Sequence, residues 1–314
     1  MRRILLGLLI LIGLLFGGLV VADRYFPEQA AHWGLLAERS RSGLTQKSLT
    51  IPGYEIAYLE GGSGEPLVLV HGIGADKDNF TRVARWLTPH YRVIAIDLPG
   101  FGDSTKPPLD DYSIGAQVAR LDQILAALKL PRAHLGGSSM GGWIVGSYAA
   151  AYPDKTASLW LLAPAGVAGG KESPVRKAYL ERGEYLLMSQ KPEDFERTIA
   201  TVFVTQPWVP HSVRQVLARK AVNNYVLHTR IFRETTANWE RDKLNDKLAG
   251  SNVPALIVWG DKDYALDVSA APILAALMPK AQVEIMQDIG HLPMMETPRI
   301  AAERYNAFRQ SIAK

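Results

Sequence analysis

The stretch that most constrains this chain is Gly137-Ser138-Ser139-Met140-Gly141, set between the short apolar run 133–135 and a helix-like stretch from Gly142 to Tyr152. A G-x-S-x-G pentapeptide at a strand-to-helix junction predicts a tight turn that lifts the serine out of the sheet on strained backbone. Glycines two residues before and two after are needed because side chains there would collide. Only one frame satisfies that spacing, since Ser138 would need a glycine where Met140 stands. Ser139 is therefore the candidate nucleophile. A turn of small residues would write the same pattern, so the surrounding elements must decide.

Those elements are short, nearly continuous apolar runs: 67–70, 93–96, 133–136, 159–162, 255–258 and 283–286. Runs of this length suit strands buried on both faces, and helical patterns at 114–128, 142–151 and 269–277 lie between them. The chain predicts an α/β fold with a mostly parallel sheet covered by helices. Tyr54 to Leu59 alternates like an early antiparallel strand and is followed by the turn Gly61-Gly62-Ser63-Gly64. No dinucleotide fingerprint follows the first core strand. The alternation stops between Val167 and Ser251, where helical patterns continue without a core-type strand. This predicts a helical cap over 167–251 inserted into a core made of 51–166 and 252–314.

From Ile4 to Ala22 no side chain is polar, and as a helix this run spans about 28 Å, close to the hydrocarbon thickness of a bilayer. Residues 1–22 are expected to be a single-pass membrane anchor, with a cleaved signal peptide ending at Ala22 as the rival reading. Arg2 and Arg3 favour a cytoplasmic N-terminus and a catalytic domain on the periplasmic or extracytoplasmic side, against the opposing vote of Arg24, Arg39 and Arg41. Residues 23–50 read as a connector. The apolar span makes a membrane an expected partner, and the net charge of +4, spread along the 314 residues rather than blocked, gives no reason to expect nucleic acid. Without cysteine, the chain has no disulfide, thiol catalysis or cysteine metal site.

A serine hydroxyl needs a base to take its proton and a third group to orient that base. On a sheet of this kind the chain order is serine, acid, histidine. Three histidines follow Ser139, and His211 and His228 fall inside the cap, which leaves His291 in a loop after the last strand. The acid should follow the run 255–259. There Asp263 is preferred over Asp261, which adjoins the turn glycine, and over Asp267, which suits a helix N-cap. The backbone amides of Met140 and Ile73 are the expected oxyanion donors, with His71 as an orienting or turn residue. No metal and no cofactor are expected, because no metal-ligand spacing is present.

His71-Gly72, Asp97-Leu98-Pro99-Gly100-Phe101-Gly102-Asp103-Ser104, Gly137 to Gly142, Trp259-Gly260-Asp261-Lys262-Asp263 and Gly290-His291 together resemble the α/β-hydrolase fold superfamily. Within it, the N-terminal apolar helix with Tyr112-Ser113-Ile114, Tyr152-Pro153, Ala163 to Gly166, Leu266 to Ser269 and Met295-Glu296 is similar to membrane-anchored monoacylglycerol lipases and related bacterial lipases. The resemblance implies the triad Ser139, Asp263 and His291 and a serine hydrolase that cleaves carboxylic esters of lipids, monoacylglycerols or medium-chain acyl esters, through an acyl-enzyme on Ser139. Carbon-carbon bond hydrolases and small-ester esterases share part of the pattern, and a ligand-binding receptor that keeps its triad is a non-enzyme alternative. Haloalkane dehalogenases and epoxide hydrolases use an aspartate where this chain has Ser139. Ten cap residues are candidates to line an acyl tunnel or to pack the cap itself: Tyr185, Leu186, Leu187, Met188, Val202, Phe203, Trp208, Val213, Leu217 and Tyr225.

Overall fold

The computed structural model describes residues 2–312. Eight strands form one sheet: β1 (Leu44–Ile51), β2 (Tyr54–Gly61), β3 (Pro66–Val70), β4 (Arg92–Ile96), β5 (Ala133–Ser138), β6 (Thr156–Leu162), β7 (Ala255–Gly260) and β8 (Ala281–Met286), in the order β1-β2-β4-β3-β5-β6-β7-β8. The pairs β1–β2 and β2–β4 are antiparallel and the rest are parallel. The apolar runs at 67–70, 93–96, 133–136, 159–162 and 255–258 fall where both faces are covered, whereas 283–286 lies on the edge strand β8 and leaves Val283 39% exposed. On one face Trp143, Tyr148 and Trp259 pack with the helices Ile114–Ala127, Met140–Ala151 and Ala270–Leu277; on the other, Trp160 stacks on Tyr305 of the helix Pro298–Ile312, ring centroids 4.6 Å apart. Parallel strands with covered faces bring their C-terminal ends, and the loops that follow them, to one edge of the sheet.

The segment 23–50, expected to be a connector, instead contains the helix Pro27–Arg41 and all but the last residue of β1. Strand β1 runs alongside β2 from Leu44↔Gly61 to Ile51↔Tyr54. It escapes a hydrophobic reading because it is an edge strand that buries only its two end residues, Leu44 and Ile51.

Six helices and no strand lie between β6 and β7: Pro174–Arg182, Asp194–Val202, His211–Asn223, Tyr225–Ala237, Trp239–Asp242 and Leu244–Leu248. The last of these belongs with the core rather than with a separate lid. Leu244 and Leu248 are fully buried against the helix Met140–Ala151, and a Cβ at Gly146 would lie 2.9 Å from a Leu244 methyl.

The N-terminal helix Arg2–Tyr25 exposes apolar side chains such as Ile4, Leu8, Leu14 and Leu19, and Ile4–Tyr25 is long and apolar enough to cross a membrane. The side chains of Arg2 and Arg3, on which the topology reading rests, lie outside the described residues. At the other end of that helix, Asp23 Oδ1 accepts hydrogen bonds from the backbone N–H (2.9 Å) and hydroxyl (2.5 Å) of Ser212, in the first turn of the helix His211–Asn223. Ala31 on the next helix packs with Val213 and Val216 of the same partner. The apolar helix is thus joined directly to a helix that reaches the site described next.

Candidate active site

Ser139 sits between the end of β5 and the helix Met140–Ala151 with φ 55° and ψ −119°, a conformation rare outside glycine and costing of order 1–3 kcal/mol. Its surroundings hold it there. Its N–H donates to the Leu162 carbonyl at 3.0 Å, and its own carbonyl accepts from Ala165 at 2.9 Å and Trp143 at 3.1 Å. The flanking glycines are sterically required: a Cβ at Gly137 would stand 2.4 Å from the Gly141 carbonyl oxygen, and one at Gly141 would stand 2.1 Å from that of Val70. The loop after β3 closes on the same turn, so that a Cβ at Gly72 would be 3.1 Å from the Ser139 Cβ.

The loops after β7 and β8 bring Asp263 and His291 together, with His291 Nδ1 and Asp263 Oδ2 2.7 Å apart and both residues buried. The other carboxylate oxygen of Asp263 accepts from the N–H groups of Ala265 (2.8 Å) and Leu266 (2.9 Å), which fixes the carboxylate from behind. His291 is held in turn by its own N–H, which donates to the Val202 carbonyl at 2.9 Å. With Nδ1 engaged by the acid, Nε2 is the nitrogen left for a substrate-side proton. Asp261 and Asp267 do local work instead. Asp261 Oδ1 accepts weakly from Ile289 N–H at 3.4 Å, and Asp267 Oδ1 accepts from Ser269 N–H at 2.9 Å just ahead of the helix Ala270–Leu277.

Ser139, His291 and Ile73 line one cavity of about 210 Å3, and Ser139, Ile73 and Met140 also border a second of about 610 Å3. Among the described residues the Ile73 amide makes no hydrogen bond, and Met140, as the first residue of its helix, has no intrahelical acceptor for its N–H. His71 is buried under this loop. Its Nε2 accepts from Leu98 N–H at 3.2 Å, so Nδ1 carries the proton and donates to the Gly72 carbonyl at 2.7 Å. Desolvation lowers the pKa of this imidazole and keeps it neutral, as a fixed link between the β3 and β4 loops.

Of the ten cap residues singled out from the sequence, Leu187, Val202, Phe203 and Leu217 line the smaller cavity. Trp208 is 79% exposed, and Val213 is turned toward Ala31 of the N-terminal helical segment. Two residues in this region have sequence positions that assign them no role at the site. Glu296 Oε1 accepts from Gly290 N–H at 2.7 Å, while Oε2 accepts from Val204 (3.2 Å) and Thr205 (2.9 Å), tying the His291 loop to the cap; burial raises its pKa. His228, set aside in the sequence as a cap residue, lines the smaller cavity. No cluster of three or more metal-ligating side chains exists among the described residues.

A family profile described as alpha/beta hydrolase fold matches residues 65–298, and the chain belongs to that family. It is 39% identical to Lipase 3 of Moraxella sp. (strain TA144) over 98% of each chain. Monoacylglycerol lipase ABHD6 of Mus musculus is 33% identical, over 78% of this chain and 76% of its own. A crystal structure of a membrane phospholipase A, described as a bacterial virulence factor, superposes with a TM-score of 0.89 at 39% identity, covering 100% of both chains.

Proposed function

We propose that this protein is a serine hydrolase that cleaves carboxylic esters of lipids through an acyl-enzyme on Ser139. The observation that carries the reading is His291, paired with buried Asp263, in the same cavity wall as a strained serine. His291 Nε2 takes the proton as Ser139 Oγ attacks the ester carbonyl, and the amides of Ile73 and Met140 stabilise the oxyanion. The proton then passes to the departing alkoxide, the alcohol leaves, and water activated by the same imidazole releases the fatty acid. Asp263 keeps the imidazole in the right tautomer and stabilises its charged form. The names of the relatives, two of them lipases and one a phospholipase, support a lipid as the ester.

The larger cavity takes the acyl chain in this reading. Its walls include Trp143, Val167, Tyr179, Phe232 and Trp239, and its volume lies within the range of small-molecule sites. One chain and a small alcohol suit two cavities that meet at Ser139 better than three chains do, which favours monoacylglycerols and medium-chain esters over triacylglycerols. Each buried methylene contributes roughly 0.8 kcal/mol, so lengthening the acyl group from two to eight carbons adds up to about 5 kcal/mol before ordering costs. With p-nitrophenyl esters of two to eight carbons, kcat/KM should climb steeply with length. A flat series, or a preference for a vinylogous diketone cleaved at carbon, would turn the reading toward a small-ester or carbon-carbon bond hydrolase.

The helix Arg2–Tyr25 is the anchor in this proposal, residues 167–251 the cap apart from the helix Leu244–Leu248, which packs on the core, and the catalytic domain stands across the membrane from Arg2 and Arg3. The full-length protein should pellet with membranes and resist salt and alkaline washing. Recovery of a soluble species beginning at Asp23 would show a cleaved signal peptide instead.

A further inference from the structure

The smaller cavity contains a polar atom that the hydrolytic steps leave unused. His228, on the helix Tyr225–Ala237, is only 6% exposed, lines the cavity together with Ser139 and His291, and its Nε2 has no hydrogen-bond partner. Buried polar atoms are nearly always paired, so an orphan at the wall of a substrate cavity marks a place where a ligand supplies the partner. Its ring plane is fixed by stacking on Phe101, with centroids 4.8 Å apart and planes 27° from parallel. Phe101 in turn meets His71 edge-on, with ring centroids 4.9 Å apart.

The tautomer follows from the backbone around it. The Gly100 backbone raises the pKa of the imidazole as a carbonyl acceptor does, and Gly100 N–H already donates to the Thr105 carbonyl, so with Nε2 unpartnered the proton is assigned to Nδ1, on the Gly100 side. Nε2 is then a lone-pair acceptor. Burial pushes this imidazole down to about 4, so at neutral pH it does not become a donor. The partner must therefore donate. An ester, a methylene chain and an unprotonated phosphate cannot, whereas an alcohol hydroxyl can. A primary ammonium also donates, but burial raises the Asp76 carboxyl to about 7 and Lys220 lines the same cavity, so the wall holds no firm anion for a cationic head. Asn79 and Asn224 add further neutral hydrogen-bonding groups there.

We propose that His228 Nε2 accepts a hydrogen bond from a free hydroxyl on the alcohol half of the substrate, making the smaller cavity a glycerol subsite and monoacylglycerols the preferred esters. This rests on the ester-hydrolase reading above, with the acyl chain in the larger cavity. His228 is a binding residue here and transfers no proton.

The test compares 1-decanoylglycerol with propyl decanoate, which keeps the carbons of the alcohol and lacks both free hydroxyls. In the full-length protein in detergent, the ratio of their kcat/KM values should fall about tenfold in His228→Phe, chiefly through KM for the glyceride. His228→Gln, which places an amide oxygen near the position of Nε2, should retain most of the wild-type ratio. An unchanged ratio in His228→Phe, or equal losses in the Phe and Gln variants, would overturn the assignment while leaving ester hydrolysis intact. A wild type that turns over neither ester would instead bring down the hydrolase reading and this inference with it. A higher kcat/KM on 1-decanoyl lysophosphatidic acid than on 1-decanoylglycerol would overturn the neutral glycerol subsite alone.

Discussion

Ser139→Ala should lower ester turnover by roughly 10^4- to 10^6-fold, and His291→Ala should fall to nearly the same floor. The two residues act as one unit: without the hydroxyl there is nothing for the imidazole to deprotonate, and without the imidazole the hydroxyl is a weak nucleophile at neutral pH. The double variant should therefore be no slower than either single one. What remains comes from binding and from the Ile73 and Met140 amides, which neither substitution touches. Asp263→Asn should lose about 10^4-fold, because the amide cannot support the charged imidazolium and disturbs the tautomer that the 2.7 Å contact to Nδ1 selects. The measurement is kcat on p-nitrophenyl octanoate, with circular dichroism to show that each variant is folded. Additive losses in the double variant, or near wild-type turnover in Asp263→Asn alongside a collapse in Asp261→Asn, would break the assignment.

How much of this was legible beforehand depended on whether a residue's role left a local trace. Strands β3 to β7 were visible because burial on both faces demands uninterrupted apolar side chains. Strand β1 was not, since an edge position lets six of its eight residues stay at least partly exposed and polar. Ser139 announced itself through glycines whose positions are set by contacts below 2.5 Å to carbonyl oxygens. Asp263 and His291 needed only chain order and the ends of strands, which a parallel sheet brings to one edge. His228 left no such trace. Its place in the cavity wall comes from how the cap folds over the sheet, and only the unpaired Nε2 distinguishes it from a packed imidazole. Trp208 and Val213 show the same limit in reverse: apolar residues in a small cap cannot be sorted by sequence into lining, packing and exposed ones.

The largest loss of stability from a single substitution outside the reacting residues should come from Asp97, at the end of β4. It is fully buried and receives three hydrogen bonds of 2.7 Å: from the Lys77 backbone N–H, from the Lys77 ammonium and from the Asp103 N–H. Lys77 is itself only 1% exposed, and its second partner, Asp103, is half exposed. Burial works to discharge the ammonium, but Asp97 and Asp103 together outweigh it and the pKa of Lys77 lies above its ordinary value. Because that pKa is raised, the stabilisation is present throughout the range below an ordinary lysine pKa and is lost only in strong alkali, so moderate changes of pH leave the pair intact. Removing the carboxylate is different. Asp97→Ala leaves a buried cation with only its half-exposed partner Asp103 and two backbone donors with none, and breaking a buried pair in this way costs about 3–5 kcal/mol, equivalent to a fall of about 10 °C in Tm. Asp97→Asn keeps one acceptor oxygen and should lose less. Lys77→Met leaves a carboxylate that still receives two N–H groups and should lose least. Activity should decline in the same order, since Lys77 closes the loop that carries Ile73. Thermal unfolding of the full-length protein in detergent reads the order directly, and an Asp97→Ala midpoint equal to wild type would mean that the ammonium finds water when its partner is removed and that the pair contributes nothing to holding the Ile73 loop.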